Sequence, residues 1–163
     1  MNNDMAEDSW PRLRPADNTD CGGIVDLVFG VLPEYALDPD PECTDADLKD
    51  IEQSYFDKGG VFYVLEDKPG LIIGAYGLYR IDQTTCELRK MYLSKSFRGE
   101  GLGKLLLEDA LAKAKRMGFE KVTLETASVL TEAISLYRSY GFVEYQPDHL
   151  SSRCDQAFLL ELK

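Results

Sequence analysis

Residues 87–111 read ELRKMYLSKSFRGEGLGKLLLEDAL. A strand-like first half runs into a loop carrying Gly99, Gly101 and Gly103, and the loop opens directly into an amphipathic helix. Glycines at such a junction let backbone approach a ligand closely. The start of the helix adds free N–H groups with partial positive charge, so the combination is an anion site best suited to phosphate. Three templates for such a site can be laid on the loop. A Walker A loop ends in Gly-Lys-[Ser/Thr]; Gly103–Lys104 fits, but Arg98 and Leu105 stand where Gly and Ser/Thr are required. A dinucleotide fingerprint is met by Gly99 and Gly101 and broken by Lys104. In that reading Glu125 would imitate the ribose-binding acid, yet Glu87, Arg89 and Lys90 are out of place in a buried parallel strand. The third template, [Gln/Arg]-x-x-Gly-x-[Gly/Ala], is met in full by Arg98, Gly101 and Gly103.

Outward from this loop, the pattern predicts alternating elements. Upstream, Arg12–Pro15 reads as a short edge strand, and Asn18, Thr19 and Asp20 start a helix whose buried face is Ile24, Val25, Leu27, Val28, Val31 and Leu32. Pro33, Pro39 and Pro41 mark a loop. A second helical pattern follows Thr44, with Leu48, Ile51, Tyr55 and Phe56, and closes at Gly59–Gly60. Residues 61–80 form a hairpin around the turn letters Asp67–Gly70, and Cys86–Leu93 is a third strand in sequence with it. Downstream come the helix Leu102–Met117 ended by Gly118, the strand Lys121–Thr126, the helix Thr131–Tyr140 ended by Gly141, and strands over Phe142–Tyr145 and Cys154–Leu162. The order is β-α-α-β-β-β-α-β-α-β-β, which without strict alternation argues for an α+β or mixed-sheet domain over a doubly wound one.

With these elements in place the sequence resembles the GNAT superfamily of N-acetyltransferases. The loop Arg98–Gly103, the strand ELRKMYL before it, and LETASVLTEAISLYRSYGF after it, with its A-x-x-L-Y-x-x-x-G-F ending, carry the resemblance. The similarity runs over nearly the whole chain from Arg12 and implies an α+β fold with a mixed, mostly antiparallel β-sheet flanked by helices. It implies acetyl-coenzyme A (acetyl-CoA) as acetyl donor, with Arg98, Gly99, Gly101, Leu102, Gly103 and Lys104 binding its pyrophosphate. It also implies that backbone groups of Met91 and Leu93 contact the pantetheine arm and the developing oxyanion. Acyl transfer to an amine further needs a base for the amine and an acid for the leaving sulfur. Glu87 is the candidate base; its other reading is an exposed strand carboxylate paired with Arg89 or Lys90. Tyr137 is the candidate acid; its other reading is a core tyrosine on an amphipathic helix. The expected reaction is transfer of acetyl to a primary amine, of a small molecule sooner than a protein, directly in a ternary complex. The alternative is a non-catalytic acyl-CoA-binding regulatory domain of the same fold. The resemblance also admits a homodimer.

Composition bounds these readings. The 163 residues suit one domain, 1–163, with 1–11 a frayed terminus, and 44% hydrophobic with 10% aromatic residues suffices for a core. Eighteen Lys and Arg against 29 Asp and Glu give a net charge of −11, which excludes a general nucleic-acid binder. That total is uneven. Residues 86–121 hold nine positive and five negative side chains, a net of +4 that favours a polyanion such as coenzyme A. Residues 38–57 hold Asp38, Asp40, Glu42, Asp45, Asp47, Asp50, Glu52 and Asp57 against Lys49. This acid suits a cationic acceptor or a solvated helix, while Arg89, Lys90 and Arg153 could instead hold an acceptor carboxylate. Cys21, Cys43, Cys86 and Cys154 lie in no metal-ligand spacing and His149 is the only histidine, so no metal is expected. With no signal-peptide pattern and no run of about 20 apolar residues, the expectation is a cytoplasmic protein with no membrane partner.

Overall fold

A computed structural model of the chain describes residues 9–163, and most of the expected frayed segment 1–11 lies outside them. Eleven of its elements carry the architecture: β1 (Arg12–Pro15), α1 (Cys21–Val31), α2 (Ile51–Ser54), β2 (Val61–Lys68), β3 (Leu71–Arg80), β4 (Thr85–Leu93), α3 (Leu102–Arg116), β5 (Lys121–Thr126), α4 (Thr131–Ser139), β6 (Val143–Tyr145) and β7 (Gln156–Glu161). The strands form one seven-stranded sheet in the order β1-β2-β3-β4-β5-β7-β6. Every neighbouring pair is antiparallel except β4 with β5. The α+β, mostly antiparallel architecture expected from the sequence is therefore the one observed.

Each face of the sheet is buried by its own helices, and the strand periodicity sorts the residues between them. On one face Leu78, Cys86, Leu88, Val122, Leu124 and Phe158 pack with Leu106, Leu107, Ala110 and Ala114 of α3 and with Tyr137 of α4. On the other, Phe62, Val64 and Ala75 pack with Ile24, Val28 and Val31 of α1 and with Ile51 and Tyr55. Inside α3, Leu106, Leu107, Ala110 and Ala114 form a stripe at helical spacing, and three cations, Lys113, Lys115 and Arg116, occupy its last turn where the helix dipole favours them.

The second expected helix is broken. Ala46–Lys49 and Phe56–Lys58 are 3₁₀ turns on either side of the four-residue α2, with Asp50 extended between the first turn and α2. The cause is side-chain chemistry. Asp50 turns its carboxylate onto the Gln53 N–H as a cap, and Asp47 accepts from the Tyr55 hydroxyl, so local bonds compete with a continuous helix.

Gly60 ends this region with no room for a side chain: a Cβ there would lie 2.1 Å from the Leu78 carbonyl oxygen, and its N–H donates to Tyr55 O at 2.8 Å. Because the obstacle is backbone of β3, relaxation is limited. Gly60→Ala is expected to destabilise by about 3 kcal/mol, the upper part of the usual range for overpacking. Urea titration checks this through a lowered midpoint at unchanged slope; an unchanged midpoint would refute the close-packing argument.

Candidate active site

The site begins where two parallel strands part. β4 and β5 pair only at Thr85↔Lys121, Cys86↔Val122 and Glu87↔Thr123. Beyond Glu87, β4 stays with β3 and β5 stays with β7, leaving a cleft of about 560 Å³ between them. Its walls include Glu87, Met91, Leu93, Leu124, Glu125, Thr126 and Tyr137. A bulge in β4 helps to open it. Between the pairs Gly77↔Arg89 and Ala75↔Tyr92, two residues of β4 (Lys90 and Met91) face the single Tyr76 of β3. Lys90 takes φ = +55°, a left-handed conformation that is unfavourable for a residue with a Cβ. The bulge also reverses the strand's facing. Cys86 and Leu88 point to the α3 side before it, Met91 and Leu93 after it. Glu87 and Arg89 both precede the bulge and share the opposite face.

At the wide end of the cleft the Arg98–Gly103 loop meets α3. Gly99 and Gly101 both have φ = +83°, and no atom lies within 4 Å of where a Cβ at Gly99, Gly101 or Gly103 would sit. The helix starts at Gly101 without any side-chain cap, so its first-turn N–H groups are left for a ligand. Gly99, Gly101, Gly103 and Lys104 line the cleft; Leu102 instead packs its side chain against the core. Arg98 is held by several acceptors. Its Nε donates to Leu93 O at 3.0 Å, both terminal nitrogens donate to Glu34 at 3.1 Å, and one of them also donates to the Tyr35 hydroxyl at 3.2 Å. An uncapped helix start, open glycines and an apolar channel fit a diphosphate followed by a pantetheine arm.

Other walls of the cleft carry the polar chemistry. Tyr137 lines the cleft, its ring 5.7 Å from that of Phe142. Burial, and then the neighbouring Tyr92, push its phenol above the ordinary tyrosine value, so it holds its proton. Glu87 accepts from the Arg89 guanidinium, which lies 3.9 Å from the Tyr79 ring centre. Arg153 forms a two-pronged pair with Asp45, both bonds 2.8 Å. Lys90 donates to Thr44 O at 2.9 Å and lies 3.3 Å from Asp45 and 3.2 Å from Asp47. The Asp45 side chain is fully buried, with Arg153 at 8% and Lys90 at 6% exposure. The three cations that the sequence offered to an acceptor are thus engaged, Lys90 and Arg153 by Asp45 and Asp47 of the acidic stretch 38–57 and Arg89 by Glu87.

Among the described residues, two carboxylates in the cleft are not: Glu132, exposed in the first turn of α4, and Glu125. Glu125, at the end of β5, accepts the Ser151 N–H at 2.7 Å and forms no ion pair among the described residues. In the sequence it served only as a near-match to a ribose-binding acid. Its position at the C-terminal end of the strand that parts from β4 was the available signal.

Comparison with known proteins agrees with this geometry. Residues 26–142 match the model of the Acetyltransferase (GNAT) family. The chain belongs to that family. It is 36% identical over 145 residues to the Escherichia coli (strain K12) uncharacterized N-acetyltransferase YjgM, covering 86% of each chain. A GNAT-family acetyltransferase from Staphylococcus aureus Mu50 superposes with a TM-score of 0.86 at 23% identity, over 93% of this chain and 99% of that one. A GNAT-family acetyltransferase from Elizabethkingia anophelis, solved with acetyl-CoA bound, superposes with a TM-score of 0.65 at 24% identity, over 93% and 97%. This GNAT protein is accordingly an acetyl-CoA-dependent acyltransferase.

The buried pair makes a prediction about acid. Burial alone would raise the Asp45 carboxyl, but the Arg153 hydrogen bonds, the Asp40 N–H and the nearby cations outweigh it and lower it. A lowered folded value means that its stabilisation is complete above the unfolded value near 4 and is lost as pH falls through the lowered one. Arg153→Met leaves a buried carboxylate short of its main partner and is expected to lose about 3–5 kcal/mol at pH 7. Denaturation at a series of pH values should show that difference narrow below about pH 4; a constant difference would mean that Arg153 acts through packing alone.

Proposed function

We propose that this acyltransferase moves acetyl to a primary amine of a small molecule, with donor and acceptor bound together. What supports the reading is the cleft itself. Its walls bring together an anion-binding loop, the unpaired carboxylate of Glu125 and the proton-holding phenol of Tyr137. Bound acetyl-CoA would supply an electrophilic carbonyl and a thiolate leaving group. Arg98, Gly99, Gly101, Leu102, Gly103 and Lys104 would hold its diphosphate, the last five chiefly through backbone N–H groups at the start of α3. Backbone groups of Met91 and Leu93, on the free edge of β4, would align the thioester, with N–H donors meeting the oxygen that gains charge.

Tyr137 is the proton donor to the leaving sulfur: it is buried, protonated and within the cleft. Glu125 is the acceptor of the ammonium proton: among the described residues no cation pairs with it, and it is half-buried and fixed by the Ser151 N–H, whereas Glu132, also unpaired at the cleft, is exposed in the first turn of α4. Glu87, the other candidate, is a second reading. It shares the cleft but already accepts from Arg89, so a water would have to carry the proton to it. Direct transfer is favoured over an acetylated-cysteine route because burial raises both thiols, Cys86 to about 12 and Cys154 above its ordinary value. The acceptor class follows from the paired charges: Arg89, Lys90 and Arg153 are each engaged, so an amine without a carboxylate beside it is the better match. Free thiols at Cys21, Cys43, Cys86 and Cys154 are consistent with a reducing, cytoplasmic setting. Among the described residues no helix is long and apolar enough to cross a membrane.

The test is thiol release from acetyl-CoA across paired acceptors, each amino acid against its amide or decarboxylated amine. Turnover should favour the uncharged or cationic partner, about tenfold or more; donor binding with no turnover on any amine would support a purely binding role. Tyr137→Phe and Glu125→Gln should each cut kcat about 10²-fold with little change in donor affinity. If Glu87→Gln does this and Glu125→Gln does not, the proton acceptor is Glu87. Gly101→Asp should abolish donor binding in a calorimetric titration, since it puts a carboxylate and a strained left-handed residue at the diphosphate position; retained affinity would refute the loop assignment.

A further inference from the structure

The Arg98 guanidinium is already bound to a carboxylate, and that carboxylate stands outside the cleft. Glu34 follows α1 in the short 3₁₀ turn Leu32–Tyr35, sixty-four residues before Arg98, and takes both terminal nitrogens at 3.1 Å. The side chains of the pair are each 24% exposed. A planar fork with two parallel bonds to an anion is the geometry in which arginine binds carboxylate and phosphate alike. Arg98 itself lines the cleft beside Gly99, Gly101 and Lys104, whereas Glu34 does not.

We infer that Glu34 competes with the donor's diphosphate for Arg98, and so sets donor affinity from a position that the donor does not occupy. The inference rests on the proposed role of the Arg98–Gly103 loop. Three features carry it. The carboxylate and the diphosphate need the same two N–H donors. The Arg98 Nε is tied to Leu93 O at the end of β4, which keeps the guanidinium at the cleft whichever anion it faces. Release is also inexpensive: Glu34 is partly in water and turns into solvent when freed, in contrast to Asp45, whose fully buried side chain would be stranded without Arg153. Tyr35, whose hydroxyl accepts from Arg98 and whose ring centre lies 5.7 Å from the guanidinium, is a second contact that keeps Arg98 at the cleft wall.

The measurement is calorimetric titration of the full chain with acetyl-CoA and, separately, with S-acetylpantetheine, which lacks the diphosphate. Glu34→Gln and Glu34→Ala should bind acetyl-CoA about three- to tenfold more tightly while melting at the same or a slightly lower temperature. Neither should change the affinity for S-acetylpantetheine. In an Arg98→Gln background the Glu34→Gln gain should vanish, since there is no guanidinium left to compete for. Unchanged or weaker acetyl-CoA binding in both Glu34 variants would overturn the competition and make the pair a scaffold. So would an equal gain for both donors, which would place the effect on the channel wall. Failure of the loop reading looks different: the native chain would then bind acetyl-CoA no better than S-acetylpantetheine, and no Glu34 variant would separate the two.

Discussion

Everything at this site depends on a backbone constraint: two adjacent parallel strands share hydrogen bonds over three residue pairs and then must part. β4 is held by β3 to Leu93 and β5 by β7 to Thr126, so neither can follow the other. The bulge at Lys90–Met91 sharpens the separation by adding twist to β4 at the point where it leaves its parallel neighbour. The consequence is a sheet with a slot in its middle, polar backbone on one wall and a helix start at one end. Burial elsewhere keeps the slot in place. The two packed faces, one under α3 and α4 and the other under α1 and α2, give the strands no freedom to close it.

A bulged lysine at positive φ needs something to hold it, and the buried ion network does so. The Lys90 ammonium reaches Thr44 O, Asp45 and Asp47, and Arg153 closes the same Asp45 from the other side. Three segments distant in the chain, around residues 45, 90 and 153, are thereby pinned at the acceptor end. Such a cluster adds little net stability compared with apolar packing, because desolvating each charge offsets most of the attraction. Its effect is geometric: it fixes the loop 38–45 and the segment 151–154 against the bulge, and it withdraws their charges from any incoming acceptor.

Much of this was legible in the sequence. The first strand, the helix after Asp20, the hairpin and the glycine loop follow from local patterns, since period-2 and period-3.6 signals and turn residues are local by nature. What escaped was set by contacts across the chain. The second helix breaks because Asp47 bonds Tyr55 and packs toward Lys90, forty-three positions away. The bulge falls on a lysine, with no glycine to announce its left-handed backbone. Asp45 and Arg153 are 108 positions apart, so two acids of 38–57, Asp45 and Asp47, and the cations Lys90 and Arg153 looked like opposite specificities when they are one neutral cluster. Glu87 and its pairing with Arg89 were both visible from strand alternation. Glu125 was hidden by resemblance to a different motif, and only the parting of β4 from β5 gives it a cleft to face.

The two ends of the slot treat charge in opposite ways, and burial decides which. At the acceptor end, a carboxylate entering from solvent would have to displace Asp45, leaving a fully buried anion without its partner, which is costly whatever the newcomer offers. At the donor end, a diphosphate displaces a carboxylate that water can take back, and it finds helix N–H groups that no side chain caps. A pair of nearly the same type, arginine with an acid, is therefore a fixed strut in one place and an exchangeable contact in the other. The net charge of −11 places no bar on a polyanionic donor under this arrangement, because Glu34, the acid paired with Arg98, is partly in water, and the loop itself offers uncapped helix N–H groups.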